Sequence, residues 1–252
     1  MNMPAYTQIE ESQLLKTPKS ETCVIFGSGY SLNSLPKETW AHLSAFDTIG
    51  FSWFVHQNFI RLDYLLIREV LMEQHILEKE TFKMKLELYQ KELQKPLNKN
   101  ALIIIQNEFS SRVTNFMLSN MIIPKKRRVF TYFNLPPGPM RQPSATFSQG
   151  LVHGSSTLMD VLNFAYIMGW KQIILAGIDL YDRRYFWLPY DKLRDDDPAI
   201  TPDSLHNTAH STVTYIKNWL PFFKNRNLNI SVLNPKSLLT EIVPVYSFKE
   251  VK

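Results

Sequence analysis

Glycine is scarce in this chain, 8 among 252 residues. A glycine loop cradling a phosphate would use a large share of them, so each glycine position is informative. Cysteine is scarcer still. The single thiol, Cys23, excludes an intramolecular disulfide and points to a reducing compartment. Within the apolar run TCVIFG it reads as a buried strand residue, not a reactive nucleophile. No run of about 18 apolar residues occurs, and the opening MNMPAYTQIEESQ lacks an apolar core of signal-peptide length. A cytoplasmic protein is expected, at most peripheral at the inner face of the membrane. Walker A, GxSxG, CxxC and HExxH patterns are all missing, as is a DxD-like pair at the end of a middle strand.

What is present is an ordinary globular balance, 44% hydrophobic and 20% charged, with plentiful aromatics. The net charge of +5 suits an anionic small molecule, an acidic glycan or an anionic surface. Much of it sits in Lys125, Lys126, Arg127 and Arg128. That cluster reads either as a solvated basic turn after Pro124 or as a patch docking on anionic lipid or an acidic acceptor. No zinc knuckle, ribonucleoprotein motif or helix-turn-helix spacing accompanies it, so no nucleic-acid partner is expected.

The length favours one large α/β domain. Residues 1–20 read as a polar leader and 21–252 as the domain. Buried parallel strands are expected in ETCVIF, at 46–54, 63–67 and 101–105, in IILAGIDLY and at 231–233. Helical periodicity covers 36–43, 68–97, a stretch from Leu158 to the stop at Gly169, and 206–223. The proline-rich stretch 134–150 reads as an extended loop, and 183–205 as a candidate lid. Helix-then-strand units such as 153–182 belong to a doubly wound, mostly parallel sheet with helices on both faces.

Ligands of such sheets bind outside the carboxyl ends of the strands. There the turn Gly27, Ser28, Gly29, Ser31 could hold one phosphate or be a plain tight turn. Ser155, Ser156 and Thr157 open a helix as an ordinary N-cap or as an anion site. His206 and His210 share a helix face. Zinc is disfavoured because no Glu stands in the HExxH place and the nearby carboxylates are Asp203 and the 195–197 run, which leaves general-base work or a surface histidine. Tyr181 and Tyr185, beyond the GID strand end, read either as site residues or as part of a polar loop. The acidic run 195–197 reads as a solvated turn.

VIFGSGYSL, FSWF around Ser52, GWKQIILAGIDLY, HNTAHS and VLNPKSLL together resemble the bacterial sialyltransferases of glycosyltransferase family 42. They also resemble, more distantly, the DUF115/motility-associated-factor proteins that transfer nonulosonic acids. The resemblance spans residues 22–240. It implies a single Rossmann-like domain of GT-A type with a lid, an inverting transferase that needs neither metal nor other cofactor, and a CMP-sugar donor. It also implies a glycan or lipid-linked saccharide as acceptor. Donor contacts would fall on Gly27, Ser28, Gly29, Ser31, Ser52, Arg68, Ser155, Ser156, Thr157, Asp179 and Ser211. Tyr181 and Tyr185 would hold the leaving phosphate, and His210 would be the general base. Serine at 28 and 52 and arginine at 68 stand where the family has asparagine, which leaves open which 3-deoxy-ulosonic acid is carried. Two other readings remain, a magnesium-dependent diphosphokinase-like relative of the DUF115 proteins and a silent nucleotide-binding module of a glycan-assembly complex. A homo-oligomer is compatible with all three.

Overall fold

The structure, a computed structural model, describes residues 6–68, 79–107, 117, 122–124, 126–135, 140–182, 184–191 and 202–248. Its strands are β1 (Thr7–Gln8), β2 (Thr22–Phe26), β3 (Asp47–Phe51), β4 (Tyr64–Ile67), β5 (Leu102–Gln106), β6 (Arg128–Tyr132), β7 (Gln172–Ala176) and β8 (Asn229–Val232). They form one sheet in the order β1-β6-β5-β4-β3-β2-β7-β8. Every pairing is parallel, as the continuous apolar runs require when both faces are covered.

The described helices are α1 (Glu11–Leu14), α2 (Lys37–Leu43), α3 (Lys79–Gln94), α4 (Thr157–Met168) and α5 (Pro202–Asn225). Alternate strand residues face opposite ways. Cys23, Ile25, Ile49, Ile173 and Leu175 pack with α4 and α5. Val24, Phe26, Leu65, Ile174 and Ala176 pack beneath α2, α3 and the 3₁₀ turn Ser52–His56. None of the described helices is long and apolar enough to cross a membrane.

The stretch expected to be a polar leader is built into this sheet over its described part. Thr7 and Gln8 pair with Arg128 and Val129, and Leu14 is fully buried. The backbone N–H groups of Lys19 and Ser20 donate to the Asp47 carboxylate at 2.9 and 3.1 Å, where Trp170 Nε1 also donates at 2.9 Å. The α3 signal read from residue 68 is described only from Lys79.

The basic cluster needs a correction. Arg128 begins β6 and is exposed, and Lys126 is exposed, but Arg127 is buried. Its guanidinium donates to the carbonyls of Leu93 (3.2 Å), Asn98 (2.9 Å) and Ala101 (2.9 Å). Burial pushes its pKa down to about 10. Arg127 therefore faces no membrane. It ties the end of α3 to the start of β5, because carbonyls at a helix end need donors that the helix cannot supply. Lys125 lies outside the described residues.

Arg127→Ala should destabilise the fold by about 2–4 kcal/mol, since three buried acceptors lose a charged donor. Arg128→Ala should shift it by less than about 0.5 kcal/mol. Urea titration with an unchanged slope checks both. Equal midpoints for the two variants would contradict the burial.

Candidate functional site

In this strand order the chain leaves β2 for β3 on one side and later returns to place β7 on the other. The order therefore reverses between β2 and β7, and the crevice outside their carboxyl ends is the natural ligand position. Two segments meet there, Gly27–Ser31 after β2 and Gly177–Tyr181 after β7.

They are clasped by one carboxylate. Asp179 is buried. It accepts from the Ser31 amide (3.0 Å), the Ser31 hydroxyl (2.5 Å) and Asn234 Nδ2 (2.8 Å). Asn234 Nδ2 also lies 3.2 Å from the Tyr181 hydroxyl, and Tyr181 is exposed. The glycine turn is bound to its neighbour strand as well. Gly27 N donates to Ala176 O and Gly29 N to Gly177 O, both at 2.8 Å, and Phe186 N donates to Ser28 O at 3.2 Å. A Cβ on Gly29 would sit 2.4 Å from Asp179 Oδ2. The close approach these glycines permit is thus first to the 177–179 backbone. Among the described residues, Ser28 is the member whose amide and hydroxyl remain for a ligand.

Two residues at this edge hold left-handed backbone without being glycine, Ser52 (φ 49°) and Leu180 (φ 62°). Such a conformation costs a bulky residue about 1–3 kcal/mol and clusters at functional sites. At Leu180 it separates the inward Asp179 from the outward Tyr181. Tyr185 forms a bridge with Gly29 and stacks on Trp187 at 4.2 Å. Arg184 lies over the Tyr30 and Tyr190 rings (4.6 and 4.2 Å) and pairs with Asp182 (2.5 Å), which raises its pKa.

The other wall is the start of α4. Ser156 is its N-cap residue, yet its side chain caps no helix N–H. Instead Thr212 Oγ1 on α5 donates to Ser156 Oγ (3.1 Å) and lies 3.2 Å from Ser155 Oγ. Of the first-turn donors, Ser156 N and Met159 N donate to His153 O (3.3 Å) and Ser156 O (2.9 Å), which leaves the Thr157 and Leu158 amides to solvent or an anion. Thr157 is half-buried beside them, as is Ser211 on α5. Arg68 follows β4 at the same edge, half-buried and engaged within the protein. His210 is exposed on α5, on the flank it shares with Thr214, Lys217 and Pro221, and has an interaction of its own. His206 lies in α5 where side chains are outside the described residues, as are the acidic run 195–197 and the rest of 192–201 in the candidate lid.

A pair that the sequence reading missed is His153 and Asp160. Asp160 is fully buried in the first turns of α4, where the helix dipole favours a negative charge. Its Oδ2 lies 2.6 Å from His153 Nδ1, and Asn134 donates to its Oδ1. One turn on, Asn163 Oδ1 accepts from Ser144 N (3.1 Å) and Val152 N (2.9 Å). These two side chains pin the 134–153 loop. A carboxylate inside the apolar stretch TLMDVLNF was the available signal, because a buried charge demands a partner. Among the described residues no group of three or more His, Cys, Asp or Glu side chains could hold a metal ion.

No protein-family profile matches the chain, and no curated protein does. Among solved structures it is similar to the monofunctional α-2,3-sialyltransferase Cst-I from Campylobacter jejuni, with 14% identity, 98% of this chain and 87% of that one covered, and a TM-score of 0.47. It is also similar to the sialyltransferase Cst-II in complex with CMP, with 17% identity, coverages of 89% and 85%, and a TM-score of 0.43.

Replacing Asp179 by Ala should cost about 2–4 kcal/mol, since two loops lose a shared buried acceptor. Gly29→Ala should cost about 1–3 kcal/mol by forcing them apart. Thermal unfolding reads both. A Gly29→Ala protein melting with the wild type would show that turn and carboxylate are not in contact.

Proposed function

We propose that the protein is a glycosyltransferase that moves a sialic-acid-like or other 3-deoxy-ulosonic acid from a CMP donor to a hydroxyl of a saccharide acceptor, with inversion and without a metal. One observation carries the reading. The three stretches GSGYSL, GIDLY and VLNPKSLL, far apart in sequence and central to the resemblance, meet where the Asp179 carboxylate of GIDLY accepts from Ser31 and Asn234, and the same Asn234 amide lies 3.2 Å from the Tyr181 hydroxyl. Supporting it, the uncapped start of α4 and the Ser28 donors suit one phosphate.

The bond from the anomeric carbon to the CMP phosphate oxygen breaks as the acceptor oxygen bonds to that carbon. His210 takes the acceptor proton, and CMP leaves with the electron pair. Tyr181 and Tyr185 donate to the departing phosphate where other transferases use a divalent ion. Gly27, Gly29 and Asp179 hold the turn that presents Ser28, while Ser52, Arg68, Ser155, Ser156, Thr157 and Ser211 ring the donor. The lid within 183–205 would exclude water from the oxocarbenium-like state.

His210→Ala should lower transfer by about 10²–10⁴-fold and leave CMP affinity nearly unchanged, while His206→Ala does much less. Steady-state transfer and CMP calorimetry measure this. Retention of more than about a tenth of the rate in His210→Ala sinks that assignment. Donor hydrolysis should proceed equally with and without EDTA across CMP-, UDP- and GDP-sugars, CMP-sugars being preferred. Activity lost to EDTA and restored by Mg²⁺ would replace this mechanism with a metal-dependent one.

A further inference from the structure

On the opposite face of the sheet, beyond the Ser52–His56 turn, lies a pocket of about 410 Å³, within the range of small-molecule sites. It is lined by Asn33, His56, Asn58, Phe59, Glu92, Phe186 and Trp187. None of these is among the donor-contacting residues named above, although Phe186 and Trp187 lie in the candidate lid, and the two sites are joined. Tyr185 stacks on Trp187 at 4.2 Å, Trp187 lies 5.2 Å from His56, and His56 lies 5.7 Å from Trp53, with interplanar angles of 15°, 30° and 12°. A ladder of four rings thus runs from the candidate leaving-group tyrosine into the pocket.

The polar groups narrow the ligand. Glu92 is buried, and Lys95 pairs with its carboxylate. Lys95 Nζ also donates to Asn58 Oδ1 at 3.3 Å. His56 Nδ1 lies 3.9 Å from Glu92 Oε1. Burial pushes the His56 pKa down, against the pull of Glu92 and with that of Lys95, so at neutral pH the ring is an uncharged donor and acceptor. Asn33 commits its Nδ2 to the Phe186 carbonyl at 2.9 Å, leaving its Oδ1 as the acceptor it offers a ligand.

A purely apolar guest would cover the Glu92 carboxylate without hydrogen-bonding it, which is costly. An ion finds no net charge, because Glu92 and Lys95 cancel. A neutral polyol meets every requirement. Its hydroxyls donate to Glu92 and Asn33 Oδ1 and exchange hydrogen bonds with His56, while its C–H face rests on the rings of Trp187 and Phe59.

We infer that this pocket binds a neutral hexose unit of the acceptor saccharide. The role as acceptor rests on the proposed function; the sugar-binding property does not. The test titrates methyl β-galactopyranoside, methyl α-glucopyranoside and N-acetylglucosamine into the full chain without nucleotide. Tryptophan fluorescence is the readout, since Trp187 lines the pocket and Trp53 adjoins it. At least one sugar should give a saturable change that weakens tenfold or more in Glu92→Gln. The exposed variant Asn33→Leu, which leaves the core intact, should weaken it about fivefold, the scale of one lost hydrogen bond. CMP affinity by calorimetry should be unchanged in both variants. No saturable response to any of the three sugars overturns the inference, and so does equal competition by acetate or tetramethylammonium. If sugars fail while CMP binds, the transferase reading stands without this pocket; if sugars bind and CMP does not, the pocket stands and the transferase reading falls.

Discussion

The carboxylate of Asp179 is the constraint on which the rest of the site depends. A parallel sheet delivers its strand ends to one edge but does not decide how the loops beyond them meet. Here β2 and β7 end side by side, and a single buried anion at the β7 exit gathers an amide and a hydroxyl from one loop and an amide side chain from the segment after β8. Burying that charge is tolerable only because all of these donors arrive together. The glycines at 27 and 29 are small for the same reason, since side chains there would hold the segments apart. Left-handed Leu180 then points the following tyrosine outward. Fold stability and site geometry are therefore one problem at this edge.

A second buried carboxylate, Asp160, does comparable work on the opposite wall with His153 and Asn134. Both anions face inward from the start or end of a regular element, and both tie down an irregular segment of backbone. Arg127 does the reverse, a buried cation gathering three carbonyls. Apolar packing sets where the strands and helices lie, and a few buried charges set where the loops go.

That division explains what could be read from the chain. β2, β4, β5 and β7 were legible because strands covered on both faces need unbroken apolar runs. β1 has two exposed residues and β6 begins inside a basic cluster, so neither carries such a run. β1 pairs with β6, across the separation from Thr7 to Arg128, and β6 lies between it and β5. Gly27–Ser31 was legible as a turn, but its partner was not, because Asp179 lies about 150 positions on and only the sheet order brings it near. His153 and Asp160 were hidden because α4 is apolar on nearly every side, so periodicity cannot say which way a lone aspartate points. The basic cluster misled for a related reason: composition does not reveal that one of four adjacent cations turns inward.

Cys23 sits at the middle of this packing, fully buried, with its thiol pKa raised first by desolvation and then by the nearby Asp47. It is the chain's only cysteine. Toward maleimides and nitroxide reagents, which need an accessible thiolate, the folded protein behaves as if it had no cysteine. One cysteine introduced at an exposed position such as Met140 or Tyr190 would then carry a spin label or dye alone, and the native thiol could stay in place while loop movement is followed in solution.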